Sequence, residues 1–239
     1  MSVFISVEGL DGCGKTTQLA LLRDYLLAEK RPAYFLREPG GTPLGEEIRS
    51  VVLPSHATTT VPAAEALLMS AARAQLVATE IRPHLQRGDI VICDRYADST
   101  FVYQGYGRGL DLNALRAVTA FATGGLYPDL TILLDIDPET AMHRTGTSVP
   151  RGSAAAQEDL VQASDPSGTA GREGGGTAPV NQRDSNFFDT MGLEFRRRVR
   201  DGYLALVALE PARWTVIDAT RSIDEVHVEI RAAVSRFWT

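Results

Sequence analysis

This sequence predicts an α/β fold: a five-stranded parallel sheet with helices on both faces. Short apolar runs alternate with longer amphipathic stretches along almost the whole chain. The runs are apolar at successive positions, as expected for strands buried on both faces, which is the condition of a parallel sheet covered by helices. The composition, 44% hydrophobic and 23% charged over 239 residues, is that of an ordinary globular chain able to bury a sizeable core.

Residues 3–7 read as the first buried strand, and 16–28 as a helix with Leu19, Leu22, Leu26 and Leu27 on one side. A short second strand spans 33–36, and a short helix 46–53. The long helical pattern at 63–86 is expected to break near Pro83. Residues 89–93 form the third strand, 98–106 and 112–122 two helices, and 130–136 the fourth and most apolar strand. A long helix at 188–209, a fifth strand at 214–217 and a closing helix at 223–237 complete the pattern. No period repeats along the chain. One stretch breaks the alternation: from about 145 to 182 the chain is rich in Gly, Ser, Ala and Thr, with too little apolar surface to offset its ordering entropy. The expectation is a single domain over 1–239 carrying a Gly/Ser-rich insertion at about 145–182.

The net charge of −6 argues against a general nucleic-acid binder. No run reaches the roughly 18 apolar residues of a membrane span, so no membrane partner is expected. The start has no basic region or apolar signal core, and two cysteines on different elements have no need to pair. A reducing cytoplasm is the simplest location.

Gly9-Leu10-Asp11-Gly12-Cys13-Gly14-Lys15-Thr16 fits G-x-x-x-x-G-K-[ST], between a strand and a helix. The glycines let backbone N–H groups face a polyphosphate, and the helix N-terminus adds partial positive charge. Lys15 is placed to reach the β- and γ-phosphates, and the Thr16 hydroxyl to ligate Mg²⁺. Cys13 reads either as a small residue filling a tight space or as a thiol whose pKa the helix N-terminus and Lys15 would lower. The motif implies nucleotide binding and does not separate a kinase from other nucleotide hydrolases.

Further motifs leave the carboxyl ends of the other strands, where ligands of open parallel sheets collect. They are Arg37-Glu38-Pro39-Gly40-Gly41-Thr42-Pro43-Leu44-Gly45, then Asp94-Arg95-Tyr96, then Asp98-Ser99-Thr100 and 103–109. Arginines there suit an anionic second substrate, and aromatics a base or sugar. With E-G-x-D-G-x-G-K-T-T at 8–17, R-E-P-G-G-T-P-L-G-E at 37–46, D-R-Y-x-D-S-T-x-x-Y-Q-G-x-G-R-G-L at 94–110 and L-D-I-D-P-E-x-A-x-x-R at 134–144, the chain resembles the thymidylate kinases. The helix around Arg73 and the late helix from Leu193 also match, and the insertion alone does not.

The resemblance implies a P-loop nucleoside monophosphate kinase fold, transfer of phosphate from ATP to dTMP with Mg²⁺, and a homodimer formed through the long helix at 63–86. It implies nucleotide contacts from Gly9, Asp11, Gly12, Cys13, Gly14, Lys15, Thr16 and Thr17, with Arg144 against the adenine. Arg95 would contact the dTMP phosphate and the turn at Arg37 would shape that end. Arg73 would reach the thymine edge, Thr100 and Gln104 would meet the base, and Tyr103 would fill the space of a ribose 2′-hydroxyl. Asp11 would lie near the sugar or the Mg²⁺ water shell. Asp94 reads equally as the Mg²⁺-linked acid or as the residue orienting Arg95.

Two departures stand out. Met69 occupies the place of a Phe that stacks on thymine in the family; it is polarizable but offers less stacking area. The loop carries no arginine between Gly9 and Gly14, so the chain resembles the bacterial type, whose lid supplies one. The usual D-R-x-E of the lid is replaced by Asn186-Phe187-Phe188-Asp189, which leaves Arg151 or Arg183 as the expected lid cation, with Arg172 a rival. Asp135 and Asp137 read as a helix cap before Pro138. Arg196, Arg197, Arg198 and Arg200 read as a solvated helix face or as neighbours of the nucleotide lid. The other functional readings are a P-loop kinase for a different nucleotide or deoxynucleoside, and a nucleotide-binding regulatory module lacking turnover.

Overall fold

The computed structural model describes residues 2–53, 60–147 and 192–238. Among them, β1 (Val3–Glu8), β2 (Ala33–Arg37), β3 (Ile90–Asp94), β4 (Leu130–Asp135) and β5 (Trp214–Asp218) form one sheet in the order β2-β3-β1-β4-β5. Every pairing is parallel. The central position of β1 follows from its composition, since all of its residues are buried. Val3, Ile5 and Val7 face one core with Leu19, Leu22 and Leu26 of α1 (Lys15–Ala28). Phe4 points the other way, toward Leu76, Val91 and Tyr96, as the two-residue period of a strand requires. Each such side chain contributes about 1.5–3 kcal/mol when fully buried.

α2 (Pro43–Val52) starts three residues before the expected boundary, because the Thr42 hydroxyl accepts the Gly45 N–H and Pro43 fits the first turn. The expected break near Pro83 is not a break. α3 (Pro62–Leu76) runs through a π-helical turn (Val77–Ile81) into α4 (Arg82–Arg87). The widened turn precedes Pro83, which has no N–H to donate, and lets the helix continue past it. The helix expected at 98–106 is likewise α5 (Ala97–Thr100) followed by a π-helical turn (Phe101–Gly107).

α6 (Leu112–Thr123) is capped by Asp111, whose carboxylate accepts the Ala114 N–H, and ends at Gly124 in the left-handed region. α7 (Pro138–Thr147) is an element that periodicity did not reveal. α8 (Leu193–Leu209) is the described part of the long helix expected from residue 188, and α9 (Ile223–Ser235) closes the chain with a capping box from Ser222 and Glu225. No helix among the described residues is long and apolar enough to cross a membrane. Residues 148–191, which hold nearly all of the insertion with Arg151, Arg172, Arg183 and the 186–189 register, lie outside the described residues.

Candidate active site

A cleft of 290 Å³ opens at the carboxyl ends of the strands. One side is the loop between β1 and α1. Gly12 has φ +93°, and a Cβ there would collide with the Ala141 carbonyl oxygen of α7, so this position admits only glycine. The start of α1 has no side-chain cap, which leaves its first N–H groups for an anion. The Lys15 ammonium donates to the carbonyl oxygens of Gly9 (3.1 Å) and Leu10 (3.2 Å), at the mouth of the loop. Thr16 lines the same end of the cleft.

The opposite side is assembled from distant segments. Arg95 follows β3 with φ +68°, a left-handed conformation that costs a non-glycine residue about 1–2 kcal/mol. Its guanidinium donates through Nη2 to Asp11 (2.6 Å) and the Tyr103 hydroxyl (3.0 Å). Through Nη1 it donates to Tyr203 (3.2 Å) and Ser99 (3.3 Å). Burial alone would raise the Asp11 carboxyl; Arg95, Lys15 and Arg196 outweigh it and hold it below the usual range. Burial pushes the Tyr103 phenol up, so its hydroxyl stays protonated. Asp94 does not orient Arg95; Asp11, Tyr103, Ser99 and Tyr203 do.

Behind Arg95 sits Glu8, fully buried at the end of β1. Its carboxylate accepts the Tyr96 N–H (2.8 Å), the Ser99 hydroxyl (2.6 Å) and the Tyr203 hydroxyl (2.8 Å). Burial pushes its pKa up to about 7, against the pull of Arg95.

Arg73 of α3 is 3% exposed and donates to Glu38 (2.7 Å) and the Tyr96 carbonyl (3.2 Å). Burial opposes its charge and Glu38 outweighs that, so its pKa is raised. Arg37 pairs with Glu46 (2.8 Å), whose other oxygen accepts the Gly41 N–H, and this closes the turn before α2. Arg49 of α2 donates to the Pro39 carbonyl (3.0 Å); burial, then Arg37, lowers its pKa to about 10. Met69, Thr100 and Gln104 line the far end. The Gln104 amide nitrogen is committed to Glu65 (2.7 Å), which also pairs with Arg108.

Four buried polar atoms on cleft-lining residues have no hydrogen-bond partner among the described residues: Arg37 Nε, Glu38 Oε1, Arg73 Nη1 and Asp94 Oδ1. Such atoms are costly unless something pairs with them, and both signs are represented, as a site for a polyanion and a cation requires. Asp94 and Thr16 are the protein groups available to a divalent ion. No cluster of three or more His, Cys, Asp or Glu among the described residues forms a dedicated cage. That donor set fits Mg²⁺, which keeps water and substrate phosphate oxygens in its shell.

The family model for thymidylate kinase matches residues 7–163. This chain belongs to the thymidylate kinase family. It is 44% identical to the thymidylate kinase of Roseiflexus castenholzii, over 99% of this chain and 94% of that protein. It is 46% identical to that of Deinococcus radiodurans, over 98% of this chain and 96% of that one. The crystal structure of thymidylate kinase from Ehrlichia chaffeensis superposes with a TM-score of 0.69 at 28% identity, covering 98% of each chain. A five-stranded parallel sheet in a P-loop kinase fold is thus shared with the family.

Of the residues expected from the resemblance, the cleft collects Asp11, Gly12, Gly14, Lys15 and Thr16 on one side. Arg37, Asp94, Arg95, Tyr103, Met69, Arg73, Thr100 and Gln104 complete the lining. Gly9, Cys13 and Thr17 support the loop from outside the cleft lining. Arg144 also lies outside it, donating from α7 to the Ala219 carbonyl (2.9 Å) after β5. The solvated-face reading of the α8 arginines holds for Arg197 and Arg198, which are exposed, and fails for Arg196 and Arg200. Arg196 is buried and reaches the Asp11 carbonyl (3.5 Å), Arg198 donates to Gly107 (3.1 Å), and Arg200 makes a bidentate pair with Asp135 (2.8 Å each). Only Asp137 caps α7, accepting the Thr140 N–H.

Sequence reasoning missed Glu8, Glu38, Glu65, Arg49 and Tyr203 as site builders. A carboxylate ending a wholly buried, largely apolar strand was a signal for Glu8. Nothing local marks Tyr203, whose partner lies 195 residues away.

Proposed function

We propose that this protein transfers the γ-phosphoryl group of ATP to dTMP, giving dTDP and ADP. The observation that carries the reading is the cleft: a phosphate loop faces Arg95, Arg37 and Arg49 at the ends of neighbouring elements, with Arg37 Nε and the nearby Arg73 Nη1 left as unpaired donors. One anion-binding wall suits a nucleotide donor. The facing arginines suit a second phosphate held as acceptor. Membership of the thymidylate kinase family supports dTMP as that acceptor.

In this reading Lys15 swings from its loop carbonyls to the β- and γ-phosphates of ATP. Arg95, Arg37 and Arg49 hold the acceptor phosphate, so that one of its oxygens attacks the γ-phosphorus as the bond to ADP breaks. Mg²⁺, held by Thr16 and Asp94, supplies charge neutralisation on the phosphate oxygens when bound. Asp11 lies between the two sides and keeps Arg95 turned toward the transfer line. Arg73 and Thr100 read the base edge, Met69 packs on its face, and Gln104 is oriented by Glu65. Tyr103 closes the sugar end. Arg144 flanks the adenine, and a cation from 145–182, Arg151 or Arg183, completes the phosphoryl clamp.

The reading includes a homodimer. Its support is apolar exposure on adjoining helices, with Leu67 of α3 58% exposed and Phe121 of α6 91% exposed. Cys13 and Cys93 are both buried free thiols, which suits a reducing cytoplasm. The test is ADP release by the full chain with ATP and Mg²⁺, comparing dTMP, dUMP, ribo-TMP, dGMP and AMP. Turnover chiefly on dTMP is expected. Equal or greater turnover on another monophosphate would overturn the acceptor assignment, and ATP binding without transfer to any would overturn the kinase reading.

A further inference from the structure

Glu8 has no role in the transfer described above, yet it is the most enclosed carboxylate facing the cleft arginines. It lies 4.0 Å from Arg95 Nη1 and shares two hydroxyl partners with it, Ser99 and Tyr203. The charged and titratable groups around it come from every packed element. Arg95 and Cys93 face it from β3 and its end, Asp98 from α5, Tyr203 from α8, and Arg73 from α3. Asp98 is itself neutralised by a bidentate pair with Arg213 (2.7 and 2.9 Å). Arg95 is therefore the one of these cations that shares hydrogen-bond partners with Glu8.

We propose that Glu8 is a positioning residue for the acceptor phosphate: it holds the Arg95 guanidinium from behind through the Ser99 and Tyr203 hydroxyls, and takes one proton from solvent when a phosphate dianion settles on Arg95. The inference rests on the acceptor reading above. Its physics is competition for one cation. An ionised Glu8 and a phosphate dianion both draw on the charge of Arg95, and two anions on one buried guanidinium repel each other. Protonation removes the repulsion without disturbing the packing. The new O–H donates to the Ser99 or Tyr203 oxygen, and those hydroxyls rotate to suit. The Tyr96 N–H bond to the other carboxyl oxygen is kept. Burial already holds this carboxyl near the pH at which the exchange is easy.

The test is calorimetric titration of dTMP into the full chain at pH 7.5, in buffers of low and high ionisation heat. At that pH the nucleotide phosphate, with a second pKa of about 6, is already a dianion and adds little proton exchange of its own. The wild type is expected to take up protons on binding dTMP, and Glu8→Gln to lose that uptake. The KM for dTMP should rise up to about tenfold between pH 7 and 8.5 in the wild type and stay flat in Glu8→Gln, with the KM for ATP following neither trend. Tyr203→Phe removes a donor to the carboxylate and should move the uptake window to higher pH, which keeps the test open if Glu8→Gln does not fold. Binding without proton uptake, or equal uptake in Glu8→Gln, overturns the inference alone. Absence of dTMP binding overturns the acceptor reading and the inference with it.

Discussion

In the proposed transfer, the phosphate loop and the acceptor wall bind the same kind of group by opposite constructions. The loop is one continuous stretch, 9–17, and its anion site is backbone: glycine conformations, an uncapped helix start and one lysine. The acceptor wall draws Arg37, Arg49, Arg73 and Arg95 from separate elements, and holds Arg37 with Glu46, Arg73 with Glu38 and Arg95 with Asp11. Backbone donors need no counter-charge. Buried arginines do, so the second construction brings carboxylates with it, and some of their atoms are left unpaired without substrate.

The contrast is broken most severely at Lys15. Lys15→Ala should lower kcat by about 10³-fold while leaving dTMP binding intact, measured by steady-state kinetics and dTMP titration. Glu38→Gln should act on the other wall. Removing one partner of a buried ion pair leaves Arg73 uncompensated and should cost about 3 kcal/mol of stability, read by denaturant unfolding, with a raised KM for dTMP.

How far each wall was legible in the sequence follows from the same contrast. The loop was legible because its chemistry lies in consecutive residues. The arginines at 37, 73 and 95 were legible through the resemblance, but their counter-charges were not. The pairing of Arg73 with Glu38 spans 35 residues, and that of Tyr203 with Glu8 spans 195. The π-helical turn at Phe101–Gly107 was also hidden, since a widened turn leaves the 3.6-residue period nearly intact over so short a run. Alternating apolar runs were enough for the sheet, because burial on both faces leaves them no other reading. Of the α8 arginines, Arg196 and Arg200 misled, because a charged cluster on a helix is ordinarily solvated; here neighbouring segments bring the Asp11 carbonyl and the Asp135 carboxylate to them.

Glu8 sharpens the comparison through pH. Its native pKa lies above that of the unfolded chain, so the native state holds the proton longer. The stability contribution of this group is fully present below about pH 4.5 and is lost as pH rises to about 7. Relative to Glu8→Gln, the wild type should therefore lose up to about 3 kcal/mol across that window, measured by unfolding at each pH. Asp11 has the opposite sign: its depressed pKa adds stability above the unfolded value and loses it as pH falls through the native one. The smallest effect is expected at Tyr103. Tyr103→Phe removes one acceptor of Arg95 and should raise the KM for dTMP about three- to tenfold with little change in kcat.

In the proposed transfer, one cleft holds two phosphates on two separable walls. Equilibrium titration of dTMP into wild type, Lys15→Ala and Arg95→Ala tests it most directly. Lys15→Ala is expected to bind dTMP as the wild type does, and Arg95→Ala to lose about 10²-fold in affinity while still binding ATP. Loss of dTMP binding in Lys15→Ala, or its retention in Arg95→Ala, would contradict it.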